Sequence, residues 1–231
     1  MVINPVATDV WNEGDGAYLR EVAREGTRLA VVNIDRGPLT IESYYDEAHA
    51  VPDVLRIVRE NRDSYDGIMI NCFADPGLQP ARELCDIPVA GPAESAMVIA
   101  SLLGHNFAVI CTQKNVKPMV EMKAAYLGLR KKLASVEHID LPVSELETDS
   151  EKTVEAIERA ICEAEKKAEV AVLGCTGMLS LYREVVRRAK IPVVEPAAAA
   201  LKVLETLIDL KVSHSKQGLY LYPVLEKIKG Y

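Results

Sequence analysis

Short runs of apolar, often β-branched residues alternate along the chain with longer stretches whose apolar positions recur every three or four residues. The runs at 2–6, 29–34, 67–71, 88–90, 107–111, 136–139, 170–174 and 193–194 predict strands, because unbroken apolar runs of this length suit strands buried on both faces. Between them lie helical stripes. Val154, Ile157, Ile161, Ala164 and Ala168 share one face, and Thr148-x-x-Glu151 predicts a capping box ahead of it. Ala197, Ala200, Leu201, Leu204, Leu207 and Ile208 form a second stripe with Pro196 in its first turn, and 93–105 reads as a further helix. Strands alternating with helices predict parallel sheets with crossover helices.

The pattern occurs twice. Asp66-Gly-Ile-Met-Ile-Asn-Cys72 runs on to Ile87-Pro88-Val89-Ala90-Gly91-Pro92, and Glu169-Val-Ala-Val-Leu-Gly-Cys175 runs on to Ile191-Pro192-Val193-Val194-Glu195-Pro196. The cysteines are 103 positions apart and each proline pair 104, so the register slips by one residue. Val2-Ile3-Asn4-Pro5 and Val109-Ile110-Cys111-Thr112 open the two halves. This predicts an α/β protein of two pseudo-symmetric flavodoxin-like lobes, 1–100 and 101–212, each a four-stranded parallel sheet flanked by helices, with a shared cleft. The last helix of the second half is placed to pack back on the first. Residues 213–231, with the extended Tyr220-x-Tyr222-Pro223, form a C-terminal arm laid on its own body or on a neighbouring subunit.

Composition narrows the partners. The 231 residues are 49% hydrophobic, enough for a sizeable core, and carry 27 basic and 34 acidic side chains for a net charge of −7. No basic cluster is dense enough to follow a phosphate backbone, which argues against nucleic acid. No apolar run reaches the roughly 18 residues of a membrane span, and Met1-Val2-Ile3-Asn4-Pro5 lacks the form of a signal peptide, so a cytoplasmic location is expected. The five cysteines include no C-x-x-C pair, and the four histidines have no metal-ligand spacing around them, so neither a disulfide framework nor a metal site is expected.

Candidate chemistry rests on Cys72 and Cys175. Each follows an apolar strand run, at the edge of an open sheet where ligands bind. Backbone N–H groups of a following helix start are expected to draw a thiol from about 8.5 toward neutrality. Either cysteine alone reads as packing; their recurrence in a repeat favours function. Two thiols facing one cleft suit removal of a proton from one face of a carbon and its return to the other. Cys85 and Cys162 fall in helical stretches and read as inert, and Cys111 reads as part of the cleft wall. Asp46, Glu47 and His49 read as a solvated turn before an apolar helix containing Pro52, and His138 as a structural histidine. Gly14-Asp15-Gly16 has no phosphate-loop lysine, and nothing in the chain requires a cofactor.

With these segments together, the chain resembles the aspartate/glutamate/hydantoin racemase superfamily, and within it the hydantoin racemases. The resemblance lies in Ile3-Asn4-Pro5, Asn71-Cys72-Phe73-Ala74-Asp75-Pro76-Gly77-Leu78, Ile87-Pro88-Val89-Ala90-Gly91 with Glu94-Ser95-Ala96, Phe107-Ala-Val-Ile-Cys111-Thr112, Leu173-Gly174-Cys175-Thr176-Gly177-Met178 and the helix from Ala197. It implies cofactor-independent racemisation of 5-substituted hydantoins, with Cys72 and Cys175 exchanging the C5 proton and Asn4, Phe73, Ala74, Thr112, Gly174 and Thr176 lining the substrate. It also implies a small-molecule substrate and is compatible with a homo-oligomer. Departures are Val6-Ala7-Thr8 where relatives often have Asn-Thr-Ser, Cys111-Thr112 for Thr-Thr, and Glu195-Pro196 for Asp-Gly. Racemisation of free aspartate- or glutamate-type amino acids, a maleate-type cis-trans isomerisation and non-catalytic binding are the alternatives; an arylmalonate-type decarboxylase needs only one protonating thiol.

Overall fold

Each of the eight apolar runs forms a strand in the computed structural model, which describes residues 1–227. The first sheet contains β1 (Val2–Asn4), β2 (Val31–Asn33), β3 (Ile68–Ile70) and β4 (Val89–Ala90), in the order β2-β1-β3-β4. The second contains β5 (Phe107–Cys111), β6 (Leu133–His138), β7 (Val170–Leu173) and β8 (Val193–Val194), in the matching order β6-β5-β7-β8. All pairs are parallel, with Val2 facing Val31 and Met69, and Ala108 facing Ala171. The central strands are buried throughout, which is why they read as continuous apolar runs rather than alternations. β6 starts earlier than the run at 136–139 suggested, because an edge strand admits the half-buried Ala134 and Ser135.

The helices are α1 (Asn12–Val22), α2 (Tyr44–Asn61), α3 (Leu78–Leu84), α4 (Pro92–Leu103), α5 (Lys117–Tyr126), α6 (Ser150–Ala164), α7 (Tyr182–Arg188) and α8 (Pro196–Asp209). On the first sheet, Ile3, Ile68 and Ile70 pack against Val54, Ile57 and Val58 of α2. Its other face, Val2, Met69 and Ala90, receives Leu19 of α1 together with Ala197, Ala200, Leu201 and Leu204 of α8. Helix α8 therefore crosses from the second half to close the first sheet. Helix α4 crosses the other way, setting Ala93, Ala96, Met97 and Ala100 against Phe107, Val109, Val170 and Val172. The crossing helices also pack on each other, and their alanines allow the close approach.

Two local expectations are corrected. The cap of α6 is Asp149, whose side chain accepts the Lys152 N–H at 3.1 Å, not Thr148; a carboxylate one residue later caps as well and adds a favourable charge at the helix start. Asp46, Glu47 and His49 belong to the first turns of α2, not to a turn before it, because Ser43 caps the helix by accepting the Asp46 N–H at 3.2 Å. The described part of the arm lies on its own body. His214 Nε2 accepts the Val89 N–H at 2.9 Å, Lys216 Nζ donates to the Arg82 carbonyl at 2.6 Å, and Tyr220 Oη donates to Gln79 Oε1 at 2.7 Å. The rest of the arm, 228–231, lies outside the described residues. No helix among the described residues is long and apolar enough to cross a membrane.

Candidate active site

Cys72 lies just beyond the carboxyl end of β3 and Cys175 just beyond that of β7, and the segments that follow the two strands meet at one cavity. After β3, the Asn71 N–H still bonds the Ile3 carbonyl at 2.8 Å; the chain then turns sharply, with Asp75 N–H on the Cys72 carbonyl at 2.9 Å. The turn uses a positive φ at Asp75 (51°) and at Gly77 (73°), the cap of α3. After β7, Gly174 N–H bonds the Ile110 carbonyl at 2.7 Å and Cys175 opens a 3-10 turn over Thr176–Leu181. A methyl at Gly174 would lie 2.8 Å from that carbonyl oxygen, so only glycine lets β7 pass this close to β5 at the point where Cys175 emerges. Thr176 Oγ1 donates to the Asn71 carbonyl at 3.4 Å, tying the two segments directly.

Both half-buried thiols line one cavity of about 350 Å³, and both also line a smaller adjoining space of about 50 Å³. Phe73, Ala74, Thr112, Gly174 and Thr176 line the larger cavity, and Asn4 the smaller one. Ile41, Val116, Met119, Val120 and Val143 add apolar side chains to the larger wall, which Glu42, Ser43 and Gln79 also line. Burial among these apolar groups raises both thiols: Cys175 is pushed up to about 11, and Cys72 further still, with the proximity of Cys175 adding to the effect. The expected fall toward neutrality is thus reversed. Single N–H groups do face the sulfurs, Ala74 at Cys72 and Gly177 and Met178 at Cys175, yet desolvation outweighs them. Nor do these donors come from α-helix starts, since α3 begins only at Leu78 and Cys175 leads into a 3-10 turn.

A family model described as Asp/Glu/Hydantoin racemase matches residues 1–204. The chain belongs to this family. It is 33% identical to a hydantoin racemase of Pseudomonas sp. (strain NS671), over 99% of this chain and 93% of that one. Among solved structures, an allantoin racemase from Klebsiella pneumoniae superposes with a TM-score of 0.91 at 36% identity, covering 96% of this chain and 92% of that one. The allantoin racemase of Pseudomonas fluorescens gives a TM-score of 0.93 at 31% identity, covering 99% and 98%.

In this racemase-family chain the structure also brings to the cleft charged groups that sequence reasoning missed. Glu47 lines the cavity, where burial pushes its carboxyl up to about 7 against the opposing effect of Lys123. Lys123 on α5 donates to the Ala74 carbonyl at 2.9 Å and to Asp75 at 3.3 Å, and so pins the Cys72 loop from the other half. Asp75, fully buried by its side chain, also accepts the Ala93 and Glu94 N–H groups at 3.0 and 3.1 Å. Asp15 approaches from α1, buried beside Asn4 and Asn71. The helix read around Pro52 stopped short of Glu47, and the Gly-Asp-Gly context of Asp15 gave no signal.

Other candidates leave the site. Cys111 is not in the cleft wall: its thiol is buried and donates to the Glu137 carbonyl at 3.1 Å, because the side chain at this strand end faces the α4–α5 side of the sheet. Cys85 is buried beside α3 and Cys162 is exposed on α6, and neither lines the cavities. His138 Nδ1 lies 3.0 Å from Asp140 and lines neither cavity. Glu195 is buried as the cap of α8, accepting the Ala197 and Ala198 N–H groups at 2.9 and 2.6 Å.

Proposed function

We propose that this protein is a cofactor-independent racemase of 5-substituted hydantoins, the class of cyclic ureides to which allantoin belongs. The observation that carries the reading is the placement of Cys72 and Cys175 on one cavity, at equivalent ends of two equivalent sheets. Its family and the names of its relatives support it.

The C5 hydrogen of a hydantoin is acidified by the adjacent carbonyl but remains a weak acid. A thiolate that burial has made strongly basic suits its removal. One sulfur begins as thiolate and takes the C5 proton, becoming a thiol as the electron pair passes into the C4 carbonyl as an enolate. The opposite thiol then gives its proton to the other face of C5 and is left as thiolate. The product is the opposite enantiomer, and the two sulfurs have exchanged states, ready for the reverse turnover. The N–H groups of Ala74, Gly177 and Met178 stabilise whichever sulfur is charged. In this reading the Thr112 hydroxyl supports the enolate oxygen, and Phe73, Ala74 and Thr176 hold the ring.

The test is proton–deuterium exchange at C5 of each enantiomer of several 5-alkyl and 5-aryl hydantoins, with the native protein, Cys72→Ser and Cys175→Ser. Each variant is expected to lose racemisation by at least about a thousandfold, with exchange persisting for one enantiomer only, a different one in each. Normal racemisation by both variants refutes the mechanism.

A further inference from the structure

Beside the two thiols the smaller cavity carries a polar arrangement that the proton-transfer scheme leaves unused. Asn4, Asn71 and Asp15 line it, and all three are buried. Asn4 Nδ2 and Asn71 Nδ2 both donate to Asp15 Oδ2, at 2.9 and 3.0 Å, and Asn71 Nδ2 donates also to Asn4 Oδ1 at 2.8 Å. The chain of amides continues away from the cleft, from Asn4 Nδ2 to Asn12 Oδ1 and from Asn12 Nδ2 to Asn33 Oδ1, each at 2.9 Å. Every amide in the row is therefore fixed in orientation. An ionised carboxylate only accepts, so the nitrogen of Asn71 is held on Asp15 and its oxygen is turned the other way. That oxygen, Asn71 Oδ1, is buried and has no hydrogen-bond partner among the described residues.

A buried acceptor without a partner is costly in a folded protein, and one held so by a neighbouring carboxylate suits a ligand that brings a donor. We propose that Asn71 Oδ1, oriented by Asp15 and reached as the space of about 50 Å³ beside it widens around a bound ring, accepts a ring N–H of a cyclic ureide held between the cysteines, and that this pair makes the site select the closed ring over open-chain carboxylates. The proposal rests on the functional reading above and deepens it. A hydantoin presents N–H donors and no charge. Its ring-opened counterpart, a carbamoyl amino acid, brings a carboxylate that would meet an acceptor oxygen and the Asp15 charge. The same logic separates this site from one built for free amino acids.

Affinities for hydantoin, 1-methylhydantoin, 3-methylhydantoin and hydantoic acid, measured by ligand-observed NMR titration, test the proposal on the native protein without relying on turnover. One of the two N-methyl isomers is expected to bind at least about tenfold more weakly than hydantoin, and hydantoic acid at least as weakly. In Asn71→Leu the penalty for that isomer should shrink to within about threefold, since no acceptor remains. In Asp15→Asn the amide of Asn71 is released and the charge is gone, so the preference for hydantoin over hydantoic acid should fall about tenfold or more. Equal binding of both N-methyl isomers and hydantoin by the native protein overturns the proposal even if neither variant folds; so do failure to bind hydantoin and an unchanged isomer penalty in folded Asn71→Leu. If the binding pattern appears but no hydantoin exchanges its C5 proton, the catalytic reading fails while the acceptor site stands. Racemisation without the pattern is the opposite case.

Discussion

Replacing Gly91 by alanine perturbs the loop that carries Cys72 without touching the thiol. Gly91 caps α4 with an ordinary extended backbone (φ −122°), so alanine meets no conformational barrier there. The barrier is contact: the new methyl would lie 2.3 Å from Asp75 Oδ1, 2.5 Å from its Cγ and 2.9 Å from Leu78 Cδ2. Relief requires the carboxylate to retreat by about 1 Å, since close-packed side chains leave no slack. Asp75 is held by the Ala93 and Glu94 N–H groups and by Lys123, and a retreat lengthens or breaks these bonds. A hydrogen bond to a charged group contributes about 1.5–3 kcal/mol, so losing one and straining the others costs roughly 2–4 kcal/mol. For a chain of this size that corresponds to a fall in melting temperature of about 5–15 °C. Because the Asp75 N–H bonds the Cys72 carbonyl, the thiol moves as well, and C5 exchange should drop about tenfold or more. Gly14→Ala is the control. It lies on an exposed face of α1 with nothing within 4 Å of the added methyl, and should raise the melting temperature by about 1–4 °C through helix propensity. A Gly91→Ala protein that melts within about 2 °C of native and exchanges normally refutes the role assigned to Asp75.

Two further outcomes concern pH. With Cys175 at about 11, the thiolate is scarce near neutrality, so kcat/KM for racemisation should climb roughly tenfold per pH unit between pH 7 and 9; a plateau in that range contradicts the buried thiol. The sign for stability is opposite: the unfolded chain releases this proton first, near 9, so denaturation midpoints should fall as pH rises from about 9 toward 11. His214 is depressed to about 4, chiefly by burial, and accepts the Val89 N–H only while neutral. Its contribution is intact above pH 6.5 and is lost as pH falls toward 4, so amide exchange at Val89, corrected for the intrinsic pH dependence, should accelerate over that window; unchanged protection would place the arm elsewhere in solution.

The strands were legible because parallel sheets buried on both faces demand unbroken apolar runs, and the central β5 and β7 have no exposed position to interrupt them. Edge strand β6 was read short for the complementary reason, its half-buried face admitting polar residues. The repeat around Cys72 and Cys175 was visible because both copies must turn at the end of a strand, where small and cyclic residues are forced on the backbone. The helix of Glu47 was less visible, since an interior proline at 52 and a polar first turn resemble a loop until Ser43 is seen to cap it.

By itself the sequence determined the alternation of elements, the duplication and the two strand-end thiols, all of which are periodic or local signals with a physical cause within a few residues. The tertiary structure alone decided that α4 crosses to the second sheet, that Lys123 and Glu47 reach the Cys72 loop, and that Asn4, Asn71 and Asp15 form one buried network. It also decided the protonation of the thiols. Desolvation depends on every group packed around a sulfur, most of them distant along the chain, and no local motif encodes that sum.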